Sequence, residues 1–316
     1  MVSKYISIPI ESFQLETVID FDVYLKRNGD AVLYREANLP FGTKEKERLI
    51  ESNVKELLIL NNDRKKYFNY VEKNIDKIIE DKSISSDKKA ELVYGTSKEI
   101  VINVLENPKS SENIKRSGKL ISNTMNFILS DKMSFHYLLN ITSYDYYTYT
   151  HSVNVGIFTL ALGDRLGIKD KDDLFALGWG AILHDVGKTK VNSSIVNKNG
   201  PLTDDEFNEM KKHPVYGEEI LRETNQIPES SYSVVLEHHE KANGKGYPKG
   251  IRLKNISYFG KIAAIADVFD AITTRRSYKP ALDTFKALYI MKTMEGHFDP
   301  DIYKTFVYLM GEQEKS

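Results

Sequence analysis

From Asp87 to the end of the chain, one helix-length segment follows another and strand signals all but vanish. SSDKKAELVYGTSKEIVINVLEN, closed by Asn107-Pro108, is the first, and SSENIKRSGKLISNTMNFILSD the second. THSVNVGIFTLALGDRLG, DDLFALGWGAILHD, SYSVVLEHHE, SYFGKIAAIADVFDAITT, ALDTFKALYIMKTMEG and PDIYKTFVYLMGE continue the series. In TDDEFNEMKKHPVYGEEILRE, Thr203 and Glu206 form a capping box that fixes a helix start, and Pro214 breaks that helix and begins another. A chain built this way buries its apolar stripes helix against helix. The expected fold class is mainly α.

The first third reads differently. FDVYLKR and DAVLYRE are β-favouring runs on either side of Asn28-Gly29, a strong hairpin signal. KEKERLIESNVKELLIL reads as a short helix, a turn near Asn53 and a strand ending at Leu60. In DRKKYFNYVEKNIDKIIED, Tyr67, Val71, Ile75, Ile78 and Ile79 fall on one helical stripe. A length of 316 residues suits two domains. The expected division is a small α+β N-terminal domain over 1–82 and a helical domain over 83–316, with the joint at Lys82 to Ser86.

Composition excludes several functions. At 41% hydrophobic and 28% charged residues, the chain has enough apolar side chains for a true core. A net charge of −1 supplies no general field for a nucleic acid polymer or an anionic membrane, so an anionic ligand needs a local cluster of charge. The absence of cysteine removes disulfides, thiolate catalysis and thiolate metal sites together. MVSKYISIPIESFQ lacks the apolar centre of a signal peptide, and no run reaches the ~18 apolar residues of a membrane span. A soluble, cytoplasmic protein is the expectation.

Five of the seven histidines stand in telling places. His151 lies near the start of an apolar helix, and His184 with Asp185 ends another in ILHDVGK. His213 precedes Pro214, and His238 and His239 close SYSVVLEHHE. Asp267 interrupts the apolar KIAAIADVF, with Asp270 one turn later on the same face. A lone histidine on a half-apolar helix is more often an ordinary core residue, so the argument rests on the set. Burying an imidazole or carboxylate costs several kcal/mol unless it is paired or bound to a metal. Five apolar segments with such intrusions share one economical explanation, a metal-lined cavity. Nitrogen and carboxylate donors without thiolates suit Mn, Fe or Zn, and the number of donors exceeds the four of one tetrahedral zinc, pointing to two metals.

YTYTHSVNVG, ILHDVGK, MKKHPVYG, LEHHEKANGKGYPKG and IAAIADVFDAITTRRSYKPA also carry a resemblance. In order and spacing they resemble an HD-GYP domain, a branch of the HD phosphohydrolase superfamily, over about Met133 to the C-terminus. The resemblance implies a helical HD-type bundle holding two, sometimes three, divalent metals, usually iron or manganese. It implies hydrolysis of cyclic di-GMP to pGpG, with a second cut giving GMP. Carried over by position, His151, His184, Asp185 and Asp267 would hold one metal. Asp185 would bridge to a second held by His213, His238 and His239. Lys188 would aim its ammonium at the phosphate. Gly246, Tyr247 and Pro248 belong to the loop that names the family, where Tyr247 can stack on a guanine. Arg276 and Lys279 would contact substrate phosphates, and Arg275 follows the same helix.

Two positions depart from the family pattern. Asn243 stands where Asp is usual, keeping the turn-forming shape without the charge. Tyr147 stands where members with a third metal carry Glu, and a phenol is a poor ligand for a hard cation at neutral pH; two metals are therefore expected. His136 has no evident partner, and His297 falls in GHFDPDIY, where Asp299-Pro300 reads as a helix start. A module that binds cyclic di-GMP or a diguanylate cyclase (GGDEF) partner with little turnover is the second reading. An HD phosphohydrolase acting on another nucleotide is the third. Sensing, partner docking and homodimer formation all stay open for the N-terminal domain.

Overall fold

The computed structural model describes residues 4–130, 133–142, 147–274 and 282–311. The chain divides into two compact units, Met1–Glu99 and Ile100–Ser316.

The first unit holds the chain's strands among the described residues. β1 (Tyr5–Pro9), β2 (Thr17–Ile19), β3 (Val23–Arg27), β4 (Asp30–Arg35) and β5 (Leu39–Phe41) precede helix α1 (Thr43–Glu51), strand β6 (Glu56–Leu60) and helix α2 (Arg64–Glu80). The antiparallel sheet runs in the order β1-β6-β3-β4, and β2 pairs with β5. The β3–β4 hairpin turns at Asn28 and Gly29, with φ of 51° and 94°, the twist that matches a two-residue loop to its strands. Asn53, with φ of 57°, turns the chain from α1 toward β6 as its sequence suggests. The pairing of β1 with β6, Tyr5 opposite Leu60 through Pro9 opposite Glu56, had no signal in the sequence.

Along β6, Leu57 and Ile59 are fully buried while their neighbours are not, the period of two that a sheet with one covered face requires. Helix α2 buries Tyr67, Tyr70, Val71, Ile75 and Ile78. Tyr70 therefore joins the expected stripe, and Ile79 is only half-buried. Phe13 stacks on Phe41 with ring centroids 4.8 Å apart, and Phe21 meets both Tyr67 and Tyr70 edge-on.

Helix α3 (Ser86–Glu106) follows the turn at Lys82–Ser86 where the domain joint was expected. The compact units divide inside α3, between Glu99 and Ile100, and on the N-terminal side of that division Gly95 lies against the Phe68 ring of α2.

The second unit is helical: α4 (Ser111–Ser130), α5 (Ser134–Ile141), α6 (Thr148–Arg165), α7 (Lys171–Leu183), α8 (Ser193–Val196), α9 (Asp204–Met210), α10 (His213–Thr224), α11 (Ser231–Glu237), α12 (Tyr258–Thr273), α13 (Thr284–Thr293) and α14 (Pro300–Gly311). Helix α6 is buried all round from Thr150 to Gly163, which makes it central. α7 and α12 pack on it, and α11 packs on both of those. The expected caps are present: Thr203 and Glu206 bond reciprocally at the start of α9, and Pro214 sits in the first turn of α10. His136 lies in α5, a helix the sequence reading did not single out, and Pro300 opens α14 as expected. Among the described residues no helix is long and apolar enough to cross a membrane.

Candidate metal centre

Helix α7 is capped at its N-terminus by Asp170, whose carboxylate accepts the Asp172 and Asp173 N–H groups, and it ends at His184. The chain then tightens into a short 3₁₀ turn over Val186–Lys190. That turn approaches α10 so closely that a Cβ on Gly187 would lie 1.9 Å from the His213 carbonyl oxygen. Any side chain there would push apart the two elements that carry His184, Asp185 and His213.

All seven expected ligands converge. His151 comes from α6, and His184 and Asp185 from the end of α7. His213 begins α10, His238 and His239 follow α11, and Asp267 comes from α12. His184, Asp185 and His213 are fully buried, His238 and His151 nearly so.

Four of the rings are oriented by what their Nδ1 atoms touch. Nδ1 of His184 lies 2.7 Å from the Ala181 carbonyl oxygen, that of His213 2.8 Å from Met210 O, and that of His238 2.9 Å from Val235 O. Nδ1 of His151 lies 2.7 Å from Asp270 Oδ2. Each acceptor requires a proton on Nδ1, which leaves Nε2 with a bare lone pair. Burial holds His184 and His213 neutral, with pKa values lowered to about 3 from the ordinary 6.5. Burial likewise lowers His238, and His239 well below its usual value.

These bare nitrogens face each other. His151 Nε2 is 3.2 Å from His184 Nε2, and His213 Nε2 is 3.1 Å from His238 Nε2. Two lone pairs at that distance repel unless a cation lies between them or beside them. Asp185 spans the two pairs: Oδ2 is 3.5 Å from His184 Nε2 and 3.6 Å from His151 Nε2, and Oδ1 is 3.4 Å from His213 Nε2. Oδ1 is buried without a hydrogen-bond partner. Burial alone would raise the Asp185 pKa, but the Lys188 ammonium and the surrounding imidazoles hold it well below the carboxylate range. Asp267 reaches both sides, with Oδ1 3.0 Å from His151 Nε2 and Oδ2 3.4 Å from His239 Nδ1. Donor atoms form two groups able to hold a metal ion, His151, His184 and Asp185, and Asp185, His213, His238 and His239. Asp185 is common to both. The donor set, the facing lone pairs and the orphaned oxygen all fit divalent cations.

The remaining expected residues fall variously. Lys188 Nζ lies 2.5 Å from Asp185 Oδ2. The Tyr247 ring lies against His239, centroids 4.6 Å apart with planes at 35°, and burial raises its phenol pKa. A Cβ on Gly246 would sit 2.6 Å from the His239 carbonyl oxygen, so the loop can hug the histidine pair only with glycine there. Pro248 lines the same cavity as Gly246 and Tyr247. Arg275, Arg276 and Lys279 lie outside the described residues. Tyr147 heads α6 and is 56% exposed. Asn243 accepts from the Lys245 N–H and donates Nδ2 to Glu295 O at 3.4 Å, a donor that an aspartate would lack.

Three supporting residues escaped the sequence reading or were only half seen. Asp270, noted in the sequence only for its place one turn after Asp267, accepts from Asn154 Nδ2 at 2.7 Å and Thr274 Oγ1 at 2.9 Å while holding His151. Asn154 was missed, although a polar residue one turn after His151 in a buried helix was a usable sign. Glu240, buried at 3% exposure directly after the histidine pair, accepts the backbone N–H groups of Lys249, Gly250 and Ile251. It closes the loop that carries Tyr247. His297 contributes its backbone, taking the Ala242 N–H at 2.9 Å.

Residues 139–302 match the family described as HD domain. Cyclic di-GMP phosphodiesterase PA4108 of Pseudomonas aeruginosa is 38% identical over 174 residues, 55% of this chain and 42% of that protein. The 3′3′-cGAMP-specific phosphodiesterase 3 of Vibrio cholerae is 35% identical over 158 residues, 50% of this chain and 34% of that protein. The chain thus spans less than half the length of these curated relatives. Among solved structures, Bd1817, described as an HDG"Y"P protein from Bdellovibrio bacteriovorus, aligns over 97% of this chain and 99% of its own, with a TM-score of 0.67 and 24% identity. That likeness extends to the fold.

Proposed function

The chain belongs to the HD domain family, and on that premise we propose that it is a metal-dependent phosphodiesterase that hydrolyses cyclic di-GMP to pGpG, with a second cut giving GMP. One observation carries the reading: two pairs of imidazoles present bare Nε2 atoms to the opposite oxygens of a single buried carboxylate, Asp185. His151, His184, Asp185 and Asp267 would hold one divalent metal, and Asp185, His213, His238 and His239 a second. Fe or Mn suits these donors best, and Zn is compatible. When bound, such a pair supplies Lewis acidity that lowers the pKa of water and neutralises charge on phosphoryl oxygens.

The chain's own residues do the rest. Asp270 keeps the His151 proton on Nδ1 and is itself held by Asn154 and Thr274, so its role is orientation rather than proton donation. Lys188 compensates the Asp185 charge and is placed to shift toward an incoming phosphate. Glu240 fixes the loop that lays Tyr247 beside His239, making one wall of the substrate's approach. Arg276 and Lys279 complete the phosphate contacts in this reading.

The test is turnover. Protein loaded with Fe(II) or Mn(II) without air is incubated with cyclic di-GMP and, in parallel, with 3′3′-cGAMP, and products are separated by mass. Linear dinucleotide from cyclic di-GMP is the expected result. Binding of cyclic di-GMP without product would make the chain a receptor, and product from 3′3′-cGAMP alone would move the substrate. Metal-replete protein that neither binds nor cuts either compound would end the proposal.

A further inference from the structure

Residues of β4, β5 and the first turns of α1 enclose a cavity of about 720 Å³ in the first unit. That volume falls within the ~300–1,000 Å³ of small-ligand sites. Lys44 and Arg48 line it, one turn apart on α1, so their like charges share a helical face and repel. Neither makes an ion pair among the described residues. Glu45 lines the cavity too, but its carboxylate is already matched by Arg35, which also donates to the Pro40 carbonyl oxygen. The Arg35 side chain is only 10% exposed, and its Nε is buried without a hydrogen-bond partner. A guanidinium held away from water thus braces two lining residues, Pro40 and Glu45. Glu16 lines the same void from the residue before β2. Its φ of 59° is left-handed, a costly conformation for a residue other than glycine, and Phe41 O holds its N–H at 2.8 Å. The Glu16 carboxylate has no ion-pair partner among the described residues either. Two unmatched cations and one unmatched carboxylate therefore surround one void, alongside the Tyr34 ring.

We infer that this cavity binds a small acidic amino acid, a ligand with two carboxylates and one ammonium. Lys44 and Arg48 take the carboxylates, the arginine through its two-pronged fork. Glu16 takes the ammonium, and the hydrocarbon stem lies on Tyr34 and Pro40. A plain anion would meet the Glu16 charge, and a plain cation would meet Lys44 and Arg48, so the pattern of charge selects a ligand carrying both signs. The first unit is then a receptor for that ligand, whatever the second unit hydrolyses.

Titration calorimetry and thermal shift on the full chain at low ionic strength test this, with L-glutamate and with glutarate, which is glutamate without its amine. L-Glutamate is expected to bind, and glutarate to bind at least about tenfold more weakly, the size of one charge-assisted contact. Lys44, Arg48 and Glu16 are exposed, so substituting them leaves the core intact. Lys44→Ala and Arg48→Ala are each expected to weaken L-glutamate at least about tenfold. Glu16→Gln is expected to weaken L-glutamate as much while leaving glutarate unchanged or tighter. No binding of L-glutamate at millimolar concentration overturns the inference, as does binding that none of the three variants alters. Glutarate bound as tightly as L-glutamate by the parent chain overturns it as well, and that comparison needs no variant to fold.

Discussion

The two units of this chain bury ionisable side chains in opposite ways. In the first, the buried ionisable groups include Tyr67 and Tyr70, neutral at any ordinary pH. The Tyr70 hydroxyl accepts the Gln14 N–H at 2.8 Å and contacts Thr17 Oγ1 at 2.5 Å. Such a core is explained by folding alone: rings contribute area, and their polar tips find local partners. In the second, His184, Asp185 and His213 are fully buried, the free Nε2 atoms of His184 and His213 face those of His151 and His238, and one carboxylate oxygen has no partner. Packing does not ask for that arrangement, and a hydrophobic core would be cheaper. The difference teaches where to look for chemistry: in the unit whose interior is costly without a ligand.

The strongest attempt to break the contrast is Asp185→Ala. Asp185 is the donor common to both metal-holding groups. Its loss should empty both positions together and lower turnover by at least about a thousandfold, as removal of one member of an interdependent set does. Metal analysis beside the activity assay is the check. A variant that kept its metal and its activity would reduce the histidine–aspartate set to ordinary packing, no different in kind from the tyrosines.

Protons probe the same contrast at a smaller scale. His184 and His213 are neutral when folded, with pKa values lowered by burial to about 3, and near 6.5 when unfolded. Between those values the unfolded chain binds more protons, so stability is complete above about pH 6.5 and drains as pH falls toward 3. For each imidazole, acidification to pH 5 removes up to about 2 kcal/mol. Asp185 and Asp267, also lowered, act in the same direction below the carboxylate range. Burial raises Tyr67 and Tyr70 instead, so their share of stability is complete below pH 10 and lost only as alkali titrates them. Trp179, the single tryptophan, is buried in the second unit and reports on it. Its fluorescence midpoint in metal-free protein should fall from pH 7 to pH 5, while tyrosinate absorbance from the first unit should wait for strong alkali. A tryptophan midpoint that rises on acidification contradicts the assignment.

How much of this was legible in the sequence follows the same division. Helices α6, α7 and α12 announced themselves by apolar runs, and the ligands by interrupting them. A histidine in such a run is conspicuous because its burial is expensive. Local chemistry likewise gave the Thr203–Glu206 cap, the Pro214 helix start and the Asn28-Gly29 turn. What the sequence did not disclose is distant. The β1–β6 register joins segments about fifty residues apart with nothing local to mark it, and β2 and β5 are too short to show alternation. Asn154 and Asp270 are separated by 116 positions, so no spacing rule links the amide to the carboxylate it holds. Glu240 looked like any acid at a helix end until its three backbone donors were seen.

The finest test pairs one supporting residue from each unit. Asp270→Ala removes the partner of His151 Nδ1, frees the ring to turn or change tautomer, and should weaken metal binding by about 10–100-fold. Tyr70→Phe removes the acceptor of the Gln14 N–H and the hydroxyl partner of Thr17 Oγ1, and should cost about 1–3 kcal/mol of stability through the orphaned groups. Its metal content and turnover should match the parent protein, since the lost hydroxyl serves packing alone. Metal titration and thermal melting on both variants give four readouts with a crossed expectation. Loss of metal affinity belongs to the Asp270 variant, and loss of stability with intact metal binding belongs to the Tyr70 variant. If Tyr70→Phe depleted metal as strongly as Asp270→Ala, the two interiors would share one function and the contrast between them would fail.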